Sequence, residues 1–264
     1  MDGSWCDMKY GETGQDSQQR GGFASHATVG WNSPARGVGG TKYWCLVFLP
    51  AVAFVLAGLA ALSIDVPLSQ WAISINDVDP AKRTKTLRQF CELLEMSEMF
   101  GHGIGVAMLA LAVFMLDPAR RWAIPRLLMV TYGAGLAANI GKMLIARTRP
   151  RDFDLAAGNV WQTFGGSFSF VAGGSLHQSF PSAHTATAVA FALVLSCLYP
   201  HARRLFMALA VLVAMQRLQC GAHFLSDICG GAAIGWLFAI GSFQFAPFTR
   251  FMDRLETRWA FGKR

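Results

Sequence analysis

The stretch Gln216-Arg217-Leu218-Gln219-Cys220-Gly221-Ala222-His223-Phe224-Leu225-Ser226-Asp227 sets an arginine, a histidine and an aspartate inside strongly apolar sequence. A charged side chain at the centre of a membrane helix costs about 2.5 to 3.5 kcal/mol on insertion scales, so ionisable groups between two hydrophobic runs mark function by default. His223 and Asp227 are four apart. If Ser226 caps the following helix, the two meet near its first turn, where the carboxylate can set the imidazole tautomer. A histidine held that way can act as nucleophile or base. Taken alone, the stretch can also be read as a buried polar cluster that fastens helices together.

Working outward, Lys142-Met143-Leu144-Ile145-Ala146-Arg147-Thr148-Arg149-Pro150 ends a second apolar run, and Pro181-Ser182-Ala183-His184 opens a third. Proline before a serine cap leaves the free N–H groups of a helix N-terminus at the motif, which makes a ready anion site. In chain order, Lys-x6-Arg-Pro, Pro-Ser-x-His and Arg-x5-His-x3-Asp resemble the three signature motifs of the type 2 phosphatidic acid phosphatase (PAP2) superfamily, in its membrane-bound lipid phosphatase branch. The resemblance covers roughly residues 44 to 247. It departs from the family pattern at Gln216, where the family generally has serine, and at Ala183, where it has glycine.

The 264 residues are 53% hydrophobic and 15% charged, which points to a single domain embedded in a bilayer. The net charge of +7 sits beside hydrophobic spans and not on a polar domain, so the expected partners are anionic headgroups and phosphates, with no nucleic acid. Cys45, Cys197, Cys220 and Cys229 lie in or beside apolar runs without metal-ligand spacing and are expected to pack.

The expected fold is all-α: a polytopic bundle of six transmembrane helices with a surface helix between the first two. Residues 1 to 43, with nine glycines and no apolar core, read as a disordered tail. The catalytic unit is expected over 44 to 247, followed by a basic amphipathic tail over 248 to 264. Spans are expected over Tyr43 to Ile64, Met99 to Leu116, Trp122 to Ile145, Pro181 to about Pro200, Leu205 to Gly221, and Ile228 to Thr249. Tyr43-Trp44 reads as an interfacial anchor, Asp79-Pro80 as the start of the surface helix, His102 as an interfacial residue, and Arg126 as snorkelling. The long connection over 147 to 180, with Phe164, Phe168 and Phe170, is expected to rest on the membrane near the site. Gly231-x3-Gly235 supplies a small-residue face for close helix contact. Arg120-Arg121, Arg203-Arg204 and the basic C-terminal residues place those ends in the cytoplasm by the positive-inside rule. All three motifs then face the other side, the periplasm or outer face of a bacterial inner membrane.

A phosphoryl group in transfer spreads negative charge over three oxygens, so cations and N–H donors should surround it. Lys142, Arg149 and Arg217 supply the cations; Ser182 and the N–H of Ala183 supply hydrogen bonds. The resemblance implies the other roles: His223 attacks phosphorus and becomes phosphohistidine, Asp227 orients it, and His184 protonates the leaving oxygen before activating water. No carboxylate cluster is available for magnesium, so neither a metal nor another cofactor is expected. The expected activity is hydrolysis of a lipid phosphate or diphosphate, with isoprenoid diphosphate, phosphatidylglycerol phosphate, phosphatidate and lipid A phosphate all presenting the same group. Transfer to a lipid hydroxyl in place of water is one alternative. A non-catalytic membrane scaffold is the other.

Overall fold

The computed structural model describes residues 40–77, 82–167 and 177–261. The tail before Gly40, the Asp79-Pro80 helix start, Phe168 and Phe170, and the final basic residues Lys263 and Arg264 lie outside the described residues. So do the side chains of the Tyr43-Trp44 anchor.

Nine helices are described: α1 (Gly40–Ala61), α2 (Asp65–Asp77), α3 (Lys85–Gly101), α4 (Gly103–Leu116), α5 (Ile124–Leu144), α6 (Ala183–Leu198), α7 (Arg203–Gln219), α8 (Leu225–Gln244) and α9 (Ala246–Phe261). Each of the six apolar runs becomes a helix, namely α1, α4, α5, α6, α7 and α8. The helix through Leu144, counted with its leading 3₁₀ turn from Pro118, and α8 are long and apolar enough to cross a membrane; up to four spans result if each of two bent pairs counts as one. These apolar helices make the chain an integral membrane protein. With 14 residues, α4 is shorter than the roughly 20 a perpendicular span needs.

Three features depart from the expected layout. Two helices, not one, stand between the first two apolar runs: α2 follows α1 after an 83° bend, and α3 starts at Lys85, where Thr84 accepts the Leu87 N–H at 3.3 Å. The second run is broken at His102, which ends α3 and caps α4 by accepting the Ile104 N–H at 3.3 Å, with a 72° bend between the helices. The chain is also not purely helical, because β1 (Ile145–Arg147) pairs antiparallel with β2 (Phe164–Ser167) and closes the base of the long connection.

Helix α6 is central. Ala186, Ala188, Ala190, Phe191, Ala192, Val194 and Leu198 are fully buried, and a helix apolar all round is one surrounded by others. Helix α8 crosses it through Gly231 and Gly235, where an added Cβ would meet the Ser182 carbonyl at 2.3 Å and the Ala186 carbonyl at 2.4 Å. The small-residue face therefore brings the start of α8 against the start of α6. On the periphery, Val52, Val55, Leu56 and Leu59 of α1 and Met108, Leu111 and Met115 of α4 are exposed, as lipid-facing side chains are.

Arg126 does not snorkel. It is fully buried and paired with Asp253 at 2.5 Å and Glu256 at 2.8 Å, both from α9. A charge with two carboxylates at hand has no need to reach water. Cys91, Cys220 and Cys229 are free thiols, whereas Cys197 is in a disulfide and does not merely pack.

Candidate active site

The last turn of α5, the first turn of α6, the last turn of α7 and the first turn of α8 lie at one end of the bundle, and the polar motifs are on those turns. Gly221 makes the joint between α7 and α8. Its φ of +64° is a conformation that favours glycine, and a Cβ there would also press on Ile73 at 2.8 Å. The turn is tied by the Arg217 carbonyl, which accepts the N–H groups of Ala222 and His223, each at 3.2 Å. Arg217 and His223 are thus held together by backbone as well as by spacing.

His223 is almost fully buried, and its Nδ1 faces Asp227 Oδ2 at 3.7 Å, beyond hydrogen-bond length. Burial pushes the His223 imidazole below its ordinary value, with Asp227 pulling the other way. The imidazole is therefore neutral at pH 7. Asp227 is anchored elsewhere: Oδ2 accepts from Ser179 Oγ at 2.6 Å and from the Phe224 N–H at 2.8 Å, and Oδ1 takes a short bond from Arg147. Ser226 does not cap α8, which begins after Phe224. Its N–H donates to Asp65 Oδ1 at 3.0 Å, and its hydroxyl donates to the same carboxylate. An aspartate from α2 therefore satisfies a free amide at the start of α8.

Ser182 caps α6, accepting from Thr185 N at 3.4 Å and Thr185 Oγ1 at 2.9 Å, while its own N–H donates to the Asp227 carbonyl at 3.0 Å. It is buried in that role. Ala183 follows at the first helical position, partly exposed, where the N–H has no intrahelical partner. His184 is partly exposed, and Glu98 faces its Nε2 at 3.6 Å. Arg217 donates to Glu98 Oε2 at 2.7 Å and to Gln216 Oε1 at 2.5 Å. Gln216 therefore satisfies the guanidinium and, through Nε2, reaches Glu98 at 3.3 Å.

Lys142, on the last turn of α5, is buried within electrostatic reach of Arg149, Asp227 and Arg217. His184 is within reach of Arg217, His223 and Lys142. Arg149 lies in the loop after β1, where burial and the like charge of Arg151 hold its guanidinium below the ordinary value, and its Nε is buried without a partner among the described residues. Lys142, Arg149, His184, Arg217, His223 and Asp227 thus converge, with Ala183 at the edge and Ser182 below. Three cations lie close to one another, with Glu98 paired to Arg217 and with Asp227, already bonded by Arg147, within reach of Lys142.

Residues 123–251 match the model of the PAP2 superfamily. The chain carries a PAP2 domain. It is similar to the lipid A 1-phosphatase of Rhizobium johnstonii, 34% identical over 134 residues that make up 50% of this chain and 51% of that protein. The lipid A 1-phosphatase of Rhizobium etli is 37% identical over 109 residues, 40% of this chain and 43% of that one. The chain spans about half the length of the curated relatives it matches. Among solved structures, it resembles the transmembrane PAP2-type phosphatidylglycerolphosphate phosphatase of Bacillus subtilis, with a TM-score of 0.48 and 21% identity over 78% of this chain and 94% of that one. It also resembles LpxE of Aquifex aeolicus, with a TM-score of 0.45 and 21% identity over 66% and 92%.

All three PAP2 motifs fall within the matched residues. Two polar residues that join the site, Asp65 and Glu98, lie before them, and a third, Arg147, lies inside motif one without being one of its signature positions. Asp65-Val66-Pro67 has the form of a helix start, which was the available signal for Asp65. Glu98 offered only its position on the inner stripe of an amphipathic helix.

Proposed function

We propose that this protein is a lipid phosphatase that acts at the membrane surface through a phosphohistidine on His223. What carries the reading is that Lys142, Arg149 and Arg217, from three separate elements, meet beside two histidines at one end of an apolar bundle. Three cations grouped this closely, with Glu98 paired to only one of them, suit a ligand that brings its own negative charge. The phosphoryl group would sit among them and against the start of α6.

His223, kept neutral by burial, turns Nδ1 toward Asp227 and has Nε2 left for phosphorus. As the N–P bond forms, the P–O bond to the lipid breaks with its electron pair on oxygen, and His184 supplies the proton. Water activated by His184 then attacks phosphorus, breaks the N–P bond and releases phosphate. Among the described residues no three His, Cys, Asp or Glu side chains are grouped to hold a metal ion. We assign charge neutralisation to the side-chain cations. The relatives' names put lipid A 1-phosphate first among substrates, ahead of isoprenoid diphosphate, phosphatidylglycerol phosphate and phosphatidate. The catalytic unit extends over 44 to 247, since Asp65 and Glu98 both reach the site.

The test is phosphate release from that panel in detergent with excess chelator, paired with acid-quench trapping of labelled enzyme. Release should persist in chelator, and His223→Ala should lose both turnover and label. Label on His223→Ala equal to that on the parent would overturn the assignment. Loss of activity in chelator, restored by magnesium, would overturn the metal-free mechanism.

A further inference from the structure

The inner stripe of α3 runs Cys91, Leu94, Glu98 and Gly101, of which Cys91, Leu94 and Gly101 are buried. A carboxylate on that stripe gives up hydration that an apolar residue would not have to lose. Its two oxygens are turned to two different helices. Oε2 accepts from Arg217 Nη2 at 2.7 Å and from Gln216 Nε2 at 3.3 Å, both on α7. Oε1 lies 3.6 Å from Nε2 of His184 on α6, a buried ring nitrogen with no hydrogen-bond partner among the described residues. The helix is held there. At Gly101 a Cβ would come within 2.8 Å of both the His184 carbonyl and the Val213 side chain, so the end of α3 is pressed between α6 and α7.

We propose that Glu98 is a positioning residue of the phosphatase reaction, its carboxylate holding Arg217 ready for phosphate and setting His184 to carry and deliver the leaving-group proton. This rests on the phosphatase reading above and extends it to a residue outside the matched PAP2 region. Without a carboxylate nearby, Arg217, Lys142 and His223 beside His184 would favour the neutral ring, because like charges repel. Glu98 meets Arg217 and His184 at once and offsets that repulsion. When the P–O bond to the lipid breaks, its electron pair stays on the oxygen and the His184 proton moves to it. The imidazole, now neutral, is ready to take a proton from water in the second half of the reaction. Had Glu98 merely pinned α3 to α7, its contact with Gln216 and Arg217 would suffice, and the second oxygen would have no cause to face His184.

The experiment compares kcat and KM of the full chain in detergent for an alkyl lipid phosphate, whose leaving oxygen needs a proton, and for p-nitrophenyl phosphate, whose leaving group does not. Glu98→Gln keeps the shape and removes the charge. It should lower kcat on the alkyl ester by about ten- to a hundredfold, below the full general-acid contribution, with a clearly smaller loss on the aryl ester. Glu98→Asp, which keeps the charge on a shorter stem, should recover part of the alkyl-ester activity. If Glu98→Gln is not recovered as folded protein, the aryl-to-alkyl ratio of Glu98→Asp carries the test and should exceed that of the parent. Equal losses on both esters would overturn the inference and leave Glu98 a structural tie. A lower KM with kcat intact would also overturn it, by showing that the carboxylate competes with phosphate. A parent inactive on both esters would instead overturn the phosphatase reading, and the inference with it.

Discussion

The four-residue spacing of His223 and Asp227 was legible in the sequence, and the structure sets the two side chains 3.7 Å apart; what holds Asp227 was not legible. Arg147 is fully buried, bonds Asp65 at 2.8 Å, Ser226 at 2.7 Å, Thr163 at 3.1 Å and Asp227, and lies between the rings of Phe164 and Phe224 at 4.6 and 4.3 Å. One guanidinium thus joins Asp227, which faces His223, to Asp65 of α2. Neither spacing nor periodicity exposes such a pairing, because Asp65 and Arg147 are 82 residues apart and meet only when α2 folds over the end of the bundle. The same holds for Glu98. Removing one partner of a fully buried ion pair typically costs about 3 to 5 kcal/mol, since the other is left uncompensated. Asp65→Asn should therefore lower the unfolding temperature in detergent markedly, and the activity with it. An unchanged melting curve would show that Arg147 and Asp227 are a sufficient pair by themselves.

At the scale of elements, long uncharged runs gave up their helices readily, as did the Gly231-x3-Gly235 contact, because both depend on local composition. The bend at His102 and the β1–β2 pair were hidden for the opposite reason. A 14-residue apolar helix and two short strands look like the ends of their neighbours until tertiary packing sets where they stop. The crossing of α6 and α8 is what aligns motif two with motif three, so disturbing it should be felt at the chemistry. Gly231→Ala puts a Cβ at 2.3 Å from the Ser182 carbonyl, whereas Gly241, further along the same helix, has nothing within 4 Å of the corresponding position. Overpacking of this kind costs roughly 1 to 3 kcal/mol. Gly231→Ala should melt earlier and release phosphate more slowly, while Gly241→Ala should match the parent in both. Equal behaviour of the two variants would mean that the helices can shift apart without moving the site.

Across the whole molecule the charges separate into two ends with different work. At the end away from the site, Arg120 pairs with Asp117 at 2.5 Å, Tyr199 donates to Asp117 at 3.1 Å, and the Trp259 indole donates to the Arg121 carbonyl at 3.1 Å. With Arg126 locked to Asp253 and Glu256, these contacts dock α9 beside the basic turn at 120–121. If Arg149 and Arg217 serve a substrate, as proposed above, the orientation rests on the basic residues at this end. We therefore propose that the α9 end is cytoplasmic and that the site faces the outer side of the membrane. Single cysteines test this with a membrane-impermeant thiol reagent on intact cells, scored against the unsubstituted chain, which has three free thiols among the described residues. Ala157, exposed in the connection between β1 and β2, should label from outside when replaced by cysteine. His201, exposed between α6 and α7, should label only after permeabilisation. The reverse pattern would turn the molecule over and put the phosphate site in the cytoplasm. Labelling of both from outside would mean that α6, the one α-helix described between them, does not cross the membrane, and would overturn this orientation.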